Sequence, residues 1–108
     1  MSDTTTPDHA WFAVRCVVHH PELGVYEERL TLWQAASLDD AIGLAEDDAR
    51  DYAHGLNSAS YAGLAQAYHL YDQPGHGAEI FSLMRHSALP PAEYLTAFFD
   101  TGSERQQD

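Results

Sequence analysis

Residues 11–35, WFAVRCVVHHPELGVYEERLTLWQA, contain two β-strand patterns separated by one turn. The first pattern, from Trp11 to His19, is rich in Val and aromatic residues and alternates between two faces. The second runs from Val25 to Ala35. The connection between them carries Pro and Gly and is short, which favours an antiparallel hairpin.

The alternation divides this hairpin into a core-facing set and an outward-facing set. The core-facing set is predicted to be Phe12, Val14, Cys16, Val18, Leu30 and Leu32. The outward-facing set is predicted to be Trp11, Arg15, Arg29 and Trp33, joined by Tyr68 from a later strand. Trp and Arg are enriched in binding hot spots, and exposed apolar patches mark interfaces. These five residues are therefore a candidate binding surface on an open sheet face.

The next segment carries the clearest helix pattern in the chain. Ser37 suits the N-cap, Asp40 lies in the first turn, and Gly55 suits the C-terminal end. Apolar residues recur at helical spacing at Leu38, Ala41, Ile42, Ala45, Ala49, Tyr52 and Ala53. The acidic residues of the outer face are Glu46, Asp47, Asp48 and Asp51. This acidic face is a candidate contact surface for a basic partner protein.

The remaining chain predicts two more strands and one more helix. The strands are expected at Tyr61 to Tyr71 and at Ala78 to Arg85, with a turn at residues 72–77 between them. The pair Pro90-Pro91 can open the second helix. The sequence thus predicts an α+β fold in ββαββα order, a four-stranded sheet from two β-hairpins with one layer of helices on one face. We expect one domain over residues 10–100, with flexible tails at 1–9 and 101–108.

Composition limits the classes of function. The chain has 108 residues, a formal net charge of −12, five Arg, no Lys and a single Cys. One Cys excludes a disulfide framework, and the acidic excess argues against nucleic-acid binding. No apolar run is long enough for a membrane span, and the N-terminus lacks a signal-peptide pattern. We therefore expect a cytoplasmic protein with no membrane partner.

No motif in the sequence indicates catalysis or a cofactor. Cys16 lies on the apolar side of its strand and is expected to be a small buried hydrophobe. The metal-ligand candidates are His69, Asp72 and His76, which flank the second turn. The simpler interpretation is a set of exposed turn histidines, because this spacing matches no metal motif. We predict no cofactor, no metal site and no enzymatic activity.

Three segments resemble a bacterial family known as domain of unknown function 4288. They are WFAVR at residues 11–15, YEERLTLW at 26–33 and SLDDAI at 37–42, and AEIFS at 78–82 fits the closing strand of the same pattern. The resemblance covers about residues 11–86. It implies an α+β fold in a bacterial, intracellular setting and implies no activity, substrate or catalytic residue.

The sequence therefore favours a small acidic, non-enzymatic protein-binding module. One version is an immunity or antitoxin-like protein whose acidic residues cover a basic site on a partner. Another version is a regulatory homodimer formed through the open sheet face. The alternative is a small-ligand or metal-binding protein that uses the His-rich turns.

Overall fold

A computed structural model describes residues 9–56 and 58–99 of the chain. The expected tails at 1–9 and 101–108 lie outside the described residues, apart from His9. The elements, in chain order, are β1 (Ala10–His20), β2 (Val25–Ala35), α1 (Leu38–His54), β3 (Ser60–Leu70) and α2 (Pro91–Phe98). The predicted α+β class is confirmed, and neither helix in these ranges is long and apolar enough to span a membrane.

In the described residues the sheet has three antiparallel strands in the order β2-β1-β3. The first two strands form the expected hairpin, and its four-residue loop sets the register. Gly24 closes this loop at φ 69°, and its N–H donates to the carbonyl of His20 at 2.9 Å. His20 is therefore opposite Val25. Each even-numbered residue of β1 consequently faces an odd-numbered residue of β2.

This register corrects the predicted division of the hairpin. Phe12 pairs with Trp33, whereas Leu32 pairs with Ala13. Leu30 and Leu32 therefore lie on the face opposite to Phe12 and Val14 and are not part of the core. Strand side chains alternate with a period of two, so a register one residue away from the assumed one moves every side chain of β2 to the other face.

The core lies between the sheet and α1. The sheet contributes Phe12, Val14 and Cys16, and α1 contributes Ala41, Ala45 and Ala49. An Ala stripe at every fourth position lets the helix approach the sheet closely. At the start of α1, the Asp40 N–H donates to the Ser37 hydroxyl at 3.0 Å, which is the expected N-cap.

Strand β3 lies beside β1 and contains an irregularity. Cys16 pairs with Ala65, but Val18, two residues later, pairs with Tyr61. The additional residues of β3 include Gly63, whose φ is +89°. A positive φ is a conformation that Gly adopts without steric cost, which suits it to a bulge.

The predicted four-stranded sheet is wrong, because residues 78–85 do not form a strand. After β3, the 72–77 turn, in which Gly77 has a φ of +82°, leads the chain away from the sheet edge. The chain then crosses the side of the sheet opposite to α1, where Phe81 meets the side chains of β1 and β3. A segment above a face contacts side chains and cannot complete a backbone ladder at an edge.

The single layer of helices on one face is also wrong. A helix opens at the Pro90-Pro91 pair as expected, but in the described chain α2 packs against neither the sheet nor α1. None of its residues is buried. We call residues 78–99, which include α2, the arm.

Candidate functional site

The side of the sheet opposite to α1 is the candidate site, and we call it the open face. Its members alternate with the core residues along each strand and are held in place by the β2-β1-β3 register. They include Trp11, Arg15, Leu30, Leu32, Gln66 and Tyr68. The arm crosses part of this face, and the rest is exposed.

Arg15 organises the centre of the open face. Its Nε donates to Gln66 Oε1 at 3.1 Å, and its Nη2 donates to the same oxygen. Its Nη1 donates to Glu28 Oε1 at 3.3 Å. Since Gln66 lies on β3 and Glu28 on β2, the guanidinium is fixed from both sides and presents its plane to whatever lies above it.

An aromatic residue of the arm lies on this guanidinium. The Phe81 ring centre is 5.2 Å from Arg15 Cζ, within the range of a cation–π interaction. The same ring is 6.2 Å from the Tyr68 ring. The Tyr68 hydroxyl donates to Glu79 Oε1 at 2.9 Å, and this hydrogen bond raises the pKa of the Tyr68 phenol. One aromatic side chain of the arm thus packs on the β1 and β3 part of the open face.

The part of the open face on β2 carries two exposed Leu side chains, which lie between Glu28 and Gln34. Leu30 is 47% exposed and Leu32 is 40% exposed. They lie opposite Arg15 and Ala13 on β1 and therefore adjoin each other on one surface. A sheet face left to solvent normally carries polar residues at these positions. The two neighbouring exposed Leu side chains make this part of the open face the candidate contact surface.

The structure separates the five predicted surface residues. Trp11, Arg15 and Tyr68 lie on the open face, but Arg29 and Trp33 lie on the face covered by α1. This corrects the expected single cluster, and its cause is the same register that exposes Leu30 and Leu32. The signal in the sequence was the loop length, which determines which face each residue of β2 occupies.

Arg29 and Trp33 have structural contacts. Arg29 Cζ is 3.7 Å from the centre of the Tyr52 ring, and its Nη1 donates to Asp48 Oδ2 at 3.5 Å. Trp33 packs against the core and donates its Nε1–H to Thr31 Oγ1 at 2.6 Å. Arg29 thus fastens β2 to α1, and Trp33 extends the core.

A second polar cluster, which the sequence did not predict, lies at the edge between α1 and the hairpin. The Tyr52 hydroxyl donates to Glu27, with oxygen distances of 2.9 and 3.0 Å, and His20 Nε2 lies 2.9 Å from Glu27 Oε1. Burial, followed by the hydrogen bond to Glu27, raises the pKa of the Tyr52 phenol. Each of these groups is used to join β1, β2 and α1, so the cluster stabilises the fold.

The predicted acidic face of α1 is divided between intrachain contacts and solvent. Glu46 accepts a hydrogen bond from the Tyr61 hydroxyl at 2.6 Å, and Asp48 pairs with Arg29. Asp47 pairs with Arg50 at 3.4 Å, and Asp51 is exposed. Burial and the hydrogen bond to Glu46 raise the pKa of the Tyr61 phenol well above its ordinary value.

The histidine candidates are not brought together. His69 packs between Phe12 and Tyr71, with ring centres 5.1 and 4.9 Å apart, while Asp72 and His76 are exposed. In residues 9–56 and 58–99, no three His, Cys, Asp or Glu side chains are close enough to hold a metal ion.

Cys16 is buried, as the sequence predicts. Its thiol lies 3.9 Å from the carbonyl oxygen of Ala45, and burial raises its pKa. A thiol that is both buried and protonated is a poor nucleophile.

No family model matches the chain, and neither the curated proteins nor the solved structures contain a match.

Proposed function

We propose that this chain is a non-enzymatic protein-binding module whose binding surface is the open face. The observation that carries the proposal is the exposure of Leu30 and Leu32 on a sheet whose other face is already covered by α1. Exposed apolar patches on small proteins mark contact sites. The resemblance to domain of unknown function 4288 stays a prediction beside this proposal.

The centre of the open face supports the same function. Hydrogen bonds to Gln66 and Glu28 already orient Arg15, which reduces the side-chain entropy lost when a partner covers it. Phe81 already lies on its guanidinium, which shows that this surface accepts an aromatic ring. Anchors of this kind, surrounded by aliphatic residues, are typical of binding hot spots.

The acidic helix supports an immunity-like role less strongly. Glu46 and Asp48 are already engaged by Tyr61 and Arg29, so they offer a basic partner less unpaired charge than a fully solvated carboxylate would. Asp47 and Asp51 remain on the outer surface. The metal-binding alternative has no support from the geometry, since His69, Asp72 and His76 do not converge in the described chain.

The test is site-specific photo-crosslinking in the cells that produce the protein. The photoreactive residue p-benzoylphenylalanine replaces Leu32, and the control places it at Leu44, a residue of α1 that is 44% exposed and therefore as accessible as Leu32. The proposal predicts that position 32 yields a protein adduct of one defined mass and that position 44 does not.

Two results would contradict the proposal. Position 32 could yield no adduct although the protein accumulates normally. Alternatively, positions 32 and 44 could yield the same adducts, which would show that contact is unspecific.

A further inference from the structure

We propose that the occupant of the open face is the arm of a second copy, so that two chains exchange arms in a homodimer. The inference rests on the proposed function and names its partner. Four observations on the described residues support it. The apolar side of the arm is exposed, and part of the open face is exposed. Phe81 of the arm already contacts Arg15 of the open face, and both surfaces carry little charge.

The arm has an apolar side that no residue in 9–56 or 58–99 covers. All residues from 82 to 93 are exposed, and so are Leu95, Phe98 and Phe99. The radius of gyration of the chain is 16.6 Å, against about 13 Å for a compact domain of about 100 residues. A helix of eight residues is marginal in water without tertiary contacts. The arm therefore needs a surface to pack on.

The arm is nevertheless organised to present its apolar residues. Arg85 Nη1 donates to the Tyr94 hydroxyl at 2.9 Å, and Arg85 Cζ is 4.4 Å from the centre of the Phe98 ring. The Tyr94 and Phe98 rings are 4.8 Å apart. Arg85 thus folds the chain before α2 onto the helix and makes a small aromatic unit at the end of the arm.

The contact between Phe81 and Arg15 shows how the arm and the open face fit. This contact uses only the first part of the arm and only the β1 and β3 part of the face. Beyond Phe81 the arm leaves its own sheet uncovered, and Leu30 and Leu32 stay exposed on β2. Leu30 and Leu32 on the face and the exposed apolar side chains of the arm are therefore suitable surfaces for each other.

The charge on the open face and the arm is low enough to allow a second copy to be the source of the arm. Two chains of net charge −12 repel each other, so self-association needs a surface with little of that charge. The open-face residues named above hold one Arg, with Glu28 beside it, and the arm adds one Arg and two Glu. The acidic residues of α1 lie behind the opposite sheet face and point away from such a contact.

Reciprocal exchange also closes the assembly. Each copy supplies one face and one arm, so a two-fold dimer uses both surfaces twice and leaves none free. The turn at residues 72–77, which contains Pro74, Gly75 and Gly77, connects the arm to β3 and is the point at which its direction is set. Exchange of an identical element between copies is a low-cost route to dimers.

The test is sedimentation velocity of the full chain with two variants, alone and mixed. Leu32→Asp places a charge on the open face, Phe98→Asp places one on the arm, and Leu44→Asp is the control on α1. Circular dichroism establishes that each variant is folded. We expect the unaltered chain and Leu44→Asp to be dimers at micromolar concentration and each of the other two variants to be a monomer.

A mixture of the Leu32→Asp and Phe98→Asp variants tests whether the arm of one copy binds the open face of the other. If the arm binds the face, a mixture of Leu32→Asp and Phe98→Asp retains one intact face and one intact arm, and it should form dimers that neither variant forms alone. A monomeric unaltered chain would overturn the inference, as would a Phe98→Asp variant that dimerises normally, since the latter indicates contact between two faces.

The crosslinking experiment separates failure of this inference from failure of the proposed function. The inference predicts an adduct from position 32 of twice the 12.0 kDa mass of the chain. An adduct with a different polypeptide, from a chain that is monomeric alone, would overturn arm exchange and support the proposed function. A monomeric chain with no adduct would overturn both.

Discussion

Tyr61 shows how one residue connects the sheet to the helix. Its ring packs against the core, and Arg50 Cζ lies 5.3 Å from the ring centre. Its hydroxyl donates to Glu46 Oε2 at 2.6 Å. Burial of the phenol and the carboxylate partner both disfavour the phenolate, which is why the pKa is raised. The hydrogen bond from Tyr61 to α1 therefore forms only while the phenol is protonated.

Stability should consequently fall at alkaline pH. An unfolded chain loses the Tyr61 proton near pH 10, whereas the folded chain keeps it to a higher pH. The Tyr61 contribution to the free energy of unfolding is fully present below pH 10. It is lost as the pH rises from 10 through the folded pKa, by up to about 1.4 kcal/mol per pH unit. Urea unfolding between about pH 9 and pH 12 should show a shallower decline for Tyr61→Phe.

The control for this experiment is Tyr71→Phe, because the Tyr71 ring is exposed. The control distinguishes the effect of removing any tyrosine hydroxyl from the effect of removing that of Tyr61. An identical pH dependence in Tyr61→Phe and the unaltered chain would show that the Tyr61 phenol is not a determinant of alkaline stability.

At the scale of single elements, two glycines have opposite roles. Gly43 lies within α1 on its exposed side, and a Cβ there would meet nothing within 4 Å. Gly63 lies in the bulge of β3 at φ +89°. The first position tolerates any helix-forming residue, whereas the second has a backbone conformation that residues with a Cβ rarely adopt.

The two Ala substitutions should therefore change the free energy of unfolding in opposite directions. Gly43→Ala should raise it by about 0.5–1 kcal/mol, because Ala has the higher helix propensity. Gly63→Ala should lower it by about 1–2 kcal/mol, because Ala is strained at positive φ. Equilibrium urea unfolding measures both, and a gain of stability in Gly63→Ala would show that β3 has no such bulge.

The elements that sequence reasoning predicted correctly are those defined by local chemistry. The hairpin strands follow from alternation, and α1 follows from the Ser37 cap and the helical spacing of its Ala residues. The opening of α2 follows from Pro90-Pro91. Each of these signals depends on residues a few positions apart.

The features that sequence reasoning missed depend on distant contacts. The faces of Leu30, Leu32, Arg29 and Trp33 depend on the hairpin register, which four loop residues set and which composition does not reveal. Residues 78–85 have the alternation of a strand, yet the preceding turn leads them over the open face. The sequence therefore placed Trp11, Arg15 and Tyr68 on the open face, where the structure has them. It placed Leu30 and Leu32 in the core, whereas the structure has them on the open face.

At the scale of the whole molecule, the acidic residues of α1 lie on the side opposite to the open face and the arm. The Ala stripe of α1 packs on one face of the sheet, and the open face and arm occupy the other. The acidic residues of α1 therefore lie away from the proposed contact.

This separation predicts that the affinity of the dimer rises with salt concentration. Raising the ionic strength from about 0.1 M to about 1 M shortens the Debye length from about 10 Å to about 3 Å and screens the repulsion between two acidic chains. The dimer should therefore become several-fold tighter by sedimentation equilibrium. A dimer that weakens with salt would indicate that ion pairs, and not apolar contacts, hold it together.

Hydrogen–deuterium exchange of the full chain over a series of concentrations distinguishes an arm that packs on a second copy from an arm that does not. Amides of α1 should be protected at every concentration, since that helix packs on its own sheet. Amides of α2 should be protected at high concentration and exchange freely after dilution, since their partner is a second copy. Protection of α2 that does not depend on concentration, or no protection at any concentration, would contradict the account.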